Sequence, residues 1–108
     1  MSETDCPERQ WVLDEAGKPR LAKTREEVRA MWDDPRRIVE QTDVGRYRVS
    51  TIFLILDHGS ADGPPVLWET VISDPDHEVS CQRYRTRAAA ETGHCEAVVE
   101  AGRLMGAR

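Results

Sequence analysis

The sequence lacks any long apolar run. Its longest uninterrupted apolar stretch is the five residues from Ile52 to Leu56, whereas a membrane-spanning helix needs roughly 20. The stretch from Met1 to Arg9 is acidic and polar and has no apolar core of the kind found in secretory signals. We therefore expect a protein that has no membrane partner and that works in the cytoplasm.

Cysteine is also scarce, and its spacing is uninformative for redox or metal chemistry. The chain has an odd number of cysteines, which argues against a closed set of disulfide bonds. None of them forms a CxxC pair, which argues against a zinc knuckle; they are Cys6, Cys81 and Cys95. A reducing compartment is the expected setting.

Positive charge is outnumbered by negative charge. The 108 residues include 15 Lys and Arg against 20 Asp and Glu, a net charge of -5. Nonspecific nucleic-acid binding depends on basic surface, so we expect no nucleic-acid partner. The length predicts a single small domain over residues 1–108, with a flexible tail over 1–10 and a frayed C-terminus over 102–108.

The first half of the chain predicts a small hairpin followed by helix. Trp11 to Leu13 forms a short apolar run, and Leu21 lies beyond the turn-forming Gly17 and Pro19. Further on, Thr24 and Glu27 have the spacing of a capping box. Asp34 before Pro35 is typical of a second helix start. We expect a kinked helix, or two short ones, over 25–41.

The second half predicts strands and one more helix. Polar and apolar residues alternate in the first half of the segment from Arg46 to Leu56. In its second half apolar residues occupy both faces, as expected for a central strand. Further strands are predicted over 66–73 and 78–85, and a final helix from Thr86 to about Ala101. The predicted fold is α+β: an antiparallel sheet of three or four strands, a meander from Arg46 to Arg85, with two helical segments packed on one face.

A meander of this kind places alternate residues on two faces. If Phe53 lies near Glu69, one face is the better core, and we place the helices there: Ile52, Leu54, Leu56, Val66, Trp68, Thr70, Ile72, Val79 and Cys81. The other face mixes aromatic and polar groups, and we predict a binding surface on it at Tyr47, Phe53, Glu69 and Tyr84. Alternatively, the N-terminal hairpin or a tryptophan covers that face.

Four side chains are candidates for a metal, ligand or acid/base site, with hydrolysis as one chemistry that such a site supports. They are Asp57, His58, Glu69 and His94. Their spacing matches no HxH, HExxH or HxxxH ligand pattern, and loop capping by Asp57 and ordinary packing of the histidines explain them equally well. No nucleophile motif, phosphate loop or cofactor motif is present, so we predict no catalytic residues and no cofactor.

A string of short motifs carries a resemblance to a known family. The motifs are Val49-Ser50-Thr51, Leu56-Asp57-His58, Gly63-Pro64-Pro65, Trp68-Glu69-Thr70, Arg83-Tyr84-Arg85-Thr86 and Gly93-His94. Together they resemble a family of small proteins of actinobacteria and of their phages and prophages, over about residues 45–100. The chain departs from it with Ile55 where glycine is usual and Trp68 where phenylalanine is usual. The resemblance implies an origin in a phage or mobile element and carries no mechanism.

These observations favour a noncatalytic accessory protein of a phage or mobile element. It would act by binding a host or phage protein, and an inhibitor of host defence is one such role. A small metal- or ligand-binding protein is the first alternative. The second is a phage structural or assembly component, which a symmetric homo-oligomer would support.

Overall fold

A computed structural model describes residues 10–59 and 63–106 of the chain. The elements within these ranges are β1 (Trp11–Leu13), β2 (Pro19–Leu21), α1 (Arg25–Trp32), a short 3-10 helix (Pro35–Arg37), β3 (Ile38–Val44), β4 (Tyr47–Phe53), β5 (Trp68–Ser73), β6 (Glu78–Tyr84) and α2 (Arg87–Gly106). β1 and β2 form an antiparallel hairpin, and β3-β4-β5-β6 form an antiparallel meander. The predicted α+β fold is confirmed. The predicted N-terminal tail, apart from Gln10, lies outside the described residues.

The N-terminal hairpin is held by its turn. Gly17 takes a positive φ of 82°, which glycine adopts without a steric penalty. The Asp14 carboxylate accepts hydrogen bonds from the backbone N–H groups of Ala16 and Lys18, both at 2.9 Å. These bonds close the turn, so that β1 and β2 pair as the sequence predicts.

The capping box at the start of α1 is confirmed. The Thr24 hydroxyl accepts from the Glu27 backbone N–H, and the Glu27 carboxylate accepts from the Thr24 backbone N–H. Val28 and Met31 are buried and pack against β1 and its neighbours. Trp32, one position after Met31, is 51% exposed.

The chain leaves the helical state earlier than predicted. Asp34 caps only the 3-10 helix, through its bond to the Arg36 backbone N–H. The segment from Ile38 then forms β3, which pairs with β4 across a tight turn at Gly45, where φ is 60°. Prediction of helix to residue 41 was wrong for 38–41, because strand pairing with β4 prevails over the local helix signal.

The register of β5 differs from the prediction by one residue. Phe53 lies opposite Trp68, and Trp68 lies opposite Tyr84, whereas Glu69 faces Arg83. A one-residue shift moves a strand's side chains to the opposite face. One face, here called the covered face, carries Tyr47, Val49, Thr51, Phe53, Trp68, Thr70, Ile72 and Tyr84, and α2 packs on it. The prediction had placed the helices on the face of Ile52.

The buried residues form two clusters on the covered side. The larger joins β1, α1 and the ends of β4 and β5, and it includes an edge-to-face contact between Phe53 and Trp68, with ring centroids 5.6 Å apart. The smaller lies under the second half of α2 and joins Tyr47, Val49 and Ile72 to Ala101. Together they bind the hairpin, the sheet and α2 into one packed unit.

The phase of α2 also differs from the prediction. Its buried residues are Ala90, Gly93, His94 and Ala101, whereas Val99, which its apolar side chain leads one to expect inside, is 74% exposed. α2 continues through Gly106, past the expected end near Ala101, so 102–106 are helical rather than frayed. Among the described helices, none is both long enough and apolar enough to cross a membrane.

Candidate functional site

The predicted binding surface does not form. Phe53 is 0% exposed and Tyr47 is 6% exposed, both on the covered face. Tyr84 packs against the same core. Glu69 lies on the opposite face, next to Arg83. These four residues therefore present no common surface to a partner: the face of the three aromatic residues is packed, and the one-residue shift of β5 places Glu69 on the other face.

The four residues predicted as a metal or acid/base site are not brought together either. The Asp57 carboxylate accepts from the backbone N–H groups of Gly59 at 2.7 Å and Val66 at 2.9 Å, and so braces its own loop. His58 is exposed, and Glu69 lies on the sheet face opposite the covered face. The His94 side chain lies between α2 and the covered face. Within 10–59 and 63–106, no three His, Cys, Asp or Glu side chains are placed to hold a metal.

His94 is instead the centre of a buried polar network. It is 1% exposed, and its Nδ1 lies 2.7 Å from the Thr51 hydroxyl while its Nε2 lies 2.9 Å from the Thr42 hydroxyl. Thr51 also lies 2.6 Å from the Thr70 hydroxyl. Threonine hydroxyls both donate and accept, so either neutral tautomer of the ring has both nitrogens satisfied.

Two more ionisable groups border this network. A carboxylate oxygen of Glu40 lies 3.8 Å from Nε2 of His94. On the other side, burial raises the pKa of the Tyr84 phenol, against a smaller opposing effect of the nearby Thr70 hydroxyl. The polar groups thus extend from β3 to β6 across the covered face, and they connect every strand of the meander to α2.

The contact between Thr51 and His94 has the composition of a nucleophile and its general base. A nucleophile must be reached by its substrate, however, and Thr51 is 0% exposed beneath α2. The network therefore serves packing in this structure. The signal in the sequence was the spacing of Ala90, His94, Ala97 and Ala101, which repeats at four, three and four residues and marks one helix face.

Within residues 10–59 and 63–106, no α-helix packs on the sheet face opposite α2. We call it the uncovered face, and the alternation and pairing of the strands place on it Ile38, Gln41, Asp43, Arg48, Ser50, Ile52, Glu69, Val71, Ser73, Cys81 and Arg83. Ile52, Val71 and Cys81 are only partly buried, and Ile38 is 50% exposed. The face is therefore accessible and mixed in composition, because its four apolar side chains lie among polar ones such as Gln41 and Ser50.

Two charged pairs lie on the uncovered face, one towards each end of its strands. Asp43 accepts from Arg48 at 2.9 Å near one end of the strands, and Glu69 accepts from Arg83 at 3.0 Å near the other. Each arginine holds its positive charge beside a carboxylate, and the Arg48 guanidinium lowers the pKa of Asp43. Protein-binding surfaces commonly combine apolar side chains with polar and charged groups at the margin.

Cys81 lies on the uncovered face in the edge strand β6, and its thiol is held in the protonated form. Its sulfur donates to Glu69 Oε2 at 3.2 Å. Burial, and then the neighbouring carboxylate, raise the pKa of this thiol to about 11. The thiolate is the reactive form, so this cysteine contributes apolar surface rather than chemistry.

A labelling experiment tests this description of Cys81. The pKa of about 11, against an ordinary 9, leaves about 100-fold less thiolate at pH 8 and slows alkylation in proportion. In a Cys6→Ser background we expect iodoacetamide to modify the exposed Cys95 at least ten times faster than Cys81, as measured by peptide mass spectrometry. Glu69→Gln should speed the labelling of Cys81. Equal rates at the two cysteines would contradict the description.

The fold and the uncovered face define the class: a small α+β protein with one sheet face packed and the other open. No protein-family model, curated protein or solved structure matches the chain. Its function is therefore inferred from the geometry of its own residues.

Proposed function

We propose that this protein is a noncatalytic binding protein that docks on another protein through the uncovered face. The observation that carries the proposal is the one-sided packing of the sheet: α2 buries the covered face, while Ile38, Ile52 and Val71 stay accessible on the other. Accessible apolar surface of this kind costs free energy in water and is commonly retained for an interaction.

The size of the face favours a different protein over a second copy as the occupant. With strands about 4.8 Å apart and same-face residues about 6.7 Å apart, the uncovered face measures about 400 Å². Two copies packed face to face would bury about 800 Å² in total, below the roughly 1,200 Å² of a stable specific interface. A partner of another shape can also cover the edge strands β3 and β6, whose outer sides pair with no strand in the described sheet.

The resemblance in the sequence supports a proposal for the class of partner. An origin in an actinobacterial phage or mobile element implies that the partner is a host or phage protein met in the cytoplasm of the host cell. A component of host defence is the partner we favour, because blocking a surface needs no catalytic group. This role is consistent with a face that offers shape and charge but no reactive side chain.

Ser50→Arg tests the proposal with little risk to the core. Ser50 lies on the uncovered face between Gln41 and Val71, so a long cationic side chain there obstructs docking while the covered face stays intact. We expect at least a tenfold loss of affinity for the partner. Thr92→Arg is the matched control, because it makes a similar change at an exposed position on α2.

The measurement begins with affinity capture from phage-infected host cells, using the wild-type chain and both variants. A supporting result is one protein that the wild type and Thr92→Arg retain and Ser50→Arg loses, with the same ranking for the purified pair by calorimetry. The proposal is overturned if binding survives Ser50→Arg. It is equally overturned if light scattering shows a dimer that Ser50→Arg dissociates, since the face would then serve self-assembly.

A further inference from the structure

A cleft outside the uncovered face is lined by apolar and cationic side chains. It lies where the β1–β2 turn, the segment leading into β5 and the start of α2 meet, and it encloses about 540 Å³. Its lining is Trp11, Ala16, Gly17, Lys18, Pro19, Pro65, Leu67, Trp68, Arg85, Thr86 and Arg87. No residue of the uncovered face takes part, so the cleft is a separate feature. Its volume is in the range of small-molecule sites.

One part of the lining is apolar and flat. Leu67 and Trp68 are nearly buried, at 1% and 5% exposure, and the half-buried Trp11 packs against the same core cluster. Pro19 and Pro65 add rigid apolar surface. The Trp11 indole nitrogen is, in the described part of the chain, the only buried side-chain nitrogen or oxygen without a hydrogen-bond partner. Such a lining suits a planar, aromatic group.

The other part of the lining is cationic. Lys18, Arg85 and Arg87 border the cleft, and none of the described residues that line it carries a carboxylate, although the whole chain carries a net charge of -5. The amino end of α2 lies between them, with Thr86 capping it through a 3.0 Å bond from the Ala89 backbone N–H. That helix end adds a positive partial charge.

The arginines keep capacity for a further anion. Arg87 contacts Glu91 at 3.3 Å, one turn along α2 and outside the lining, and Arg85 donates from Nε to the Pro64 carbonyl at 3.4 Å. Each guanidinium has further N–H groups that these single contacts leave available. Within the described ranges, the Lys18 ammonium makes no ion pair within 4 Å, although it interacts electrostatically with the Asp14 carboxylate of the same turn.

We propose that this cleft binds a small anion carried on an aromatic body, either a carboxylate or a phosphate monoester. The ring lies against the tryptophan and proline surface, and the anionic group lies among the three cations and the amino end of α2. Both anion types share the charge and the acceptor oxygens that arginine and lysine recognise. The site is independent of the protein partner proposed for the uncovered face.

Three probes that share a naphthalene ring separate the contribution of the anionic group to binding from that of the ring. They are 1-naphthyl phosphate, 1-naphthoate and the neutral 1-naphthalenemethanol, each titrated into ¹⁵N-labelled full-length protein. We expect the indole signals of Trp11 and Trp68 to shift, while that of Trp32, exposed on α1, stays in place. The phosphate should bind most tightly, and both anions at least tenfold more tightly than the alcohol.

Two triple variants with the same change in net charge locate the anion. In the combination of Lys18→Gln, Arg85→Gln and Arg87→Gln, the affinity for 1-naphthyl phosphate should fall at least tenfold. In the combination of Arg25→Gln, Arg29→Gln and Arg103→Gln it should change less than twofold, and Ser50→Arg should leave it unaltered. The proposal is overturned if the neutral alcohol binds as tightly as the anions, if both triple variants weaken binding equally, or if Trp11 and Trp68 do not respond.

Discussion

Replacing His94 with alanine is expected to lower the free energy of unfolding by about 3 kcal/mol, among the largest effects of any single substitution in this chain. The substitution removes a ring that is 1% exposed and leaves a cavity under α2. It also deprives the hydroxyls of Thr42 and Thr51 of a partner. Urea unfolding followed by circular dichroism measures the loss as a lower midpoint.

The neighbouring residue provides the control. Cys95 is exposed on the same turn of α2, and Cys95→Ala should change the free energy of unfolding by less than about 0.5 kcal/mol. A second variant, Thr42→Val, keeps the volume at one end of the network and removes a single hydroxyl, so it should cost about 1 kcal/mol. If His94→Ala cost less than 1 kcal/mol, the network would contribute no more than ordinary surface contacts.

The features that the sequence predicts well are those with local causes. The capping box of Thr24 and Glu27, the turn at Gly17 and the cap at Asp34 each depend on residues within a few positions of one another. β3 was missed because its strand state depends on pairing with β4 across Gly45, whereas the preceding segment carries helix signals. Local propensity is decisive only where no distant strand competes with it.

The candidate site was misplaced for a related reason. The chain between β4 and β5 is long, so turn geometry does not fix the register of the two strands. The alternation in β4 offered the missing information: Tyr47 and Val49 are apolar, whereas Arg48 and Ser50 between them are polar. That contrast predicts that the face of Val49 is the buried one. In the structure α2 packs on this face.

The packing of α2 on the sheet depends on two adjacent residues, Gly93 and His94. Gly93 lets α2 approach the ring of Tyr84 on β6, and that close approach carries His94 into contact with Thr51 on β4. The glycine lowers the stability of the helix, since an alanine in a helix interior is more stable by roughly 0.5–1 kcal/mol. The two residues together therefore determine how closely α2 packs on the sheet.

Gly93→Ala is accordingly expected to destabilise the protein by about 2–3 kcal/mol despite its better helix propensity. A Cβ at this position would overlap the hydroxyl oxygen and Cζ of Tyr84 and lie 2.8 Å from Cε1. Because several atoms of one rigid ring are involved, the ring as a whole must move out of the core that it contacts. Urea unfolding of the variant and the wild type measures the difference.

Gly102→Ala is the matched control on the same helix, because a Cβ at Gly102 meets no atom within 4 Å. It should raise the free energy of unfolding by about 0.5–1 kcal/mol. A double-mutant cycle then isolates the cause. In a Tyr84→Ala background the ring is absent, so Gly93→Ala should become neutral or stabilising. An equal cost of Gly93→Ala in both backgrounds would show that something other than Tyr84 sets the distance between α2 and the sheet.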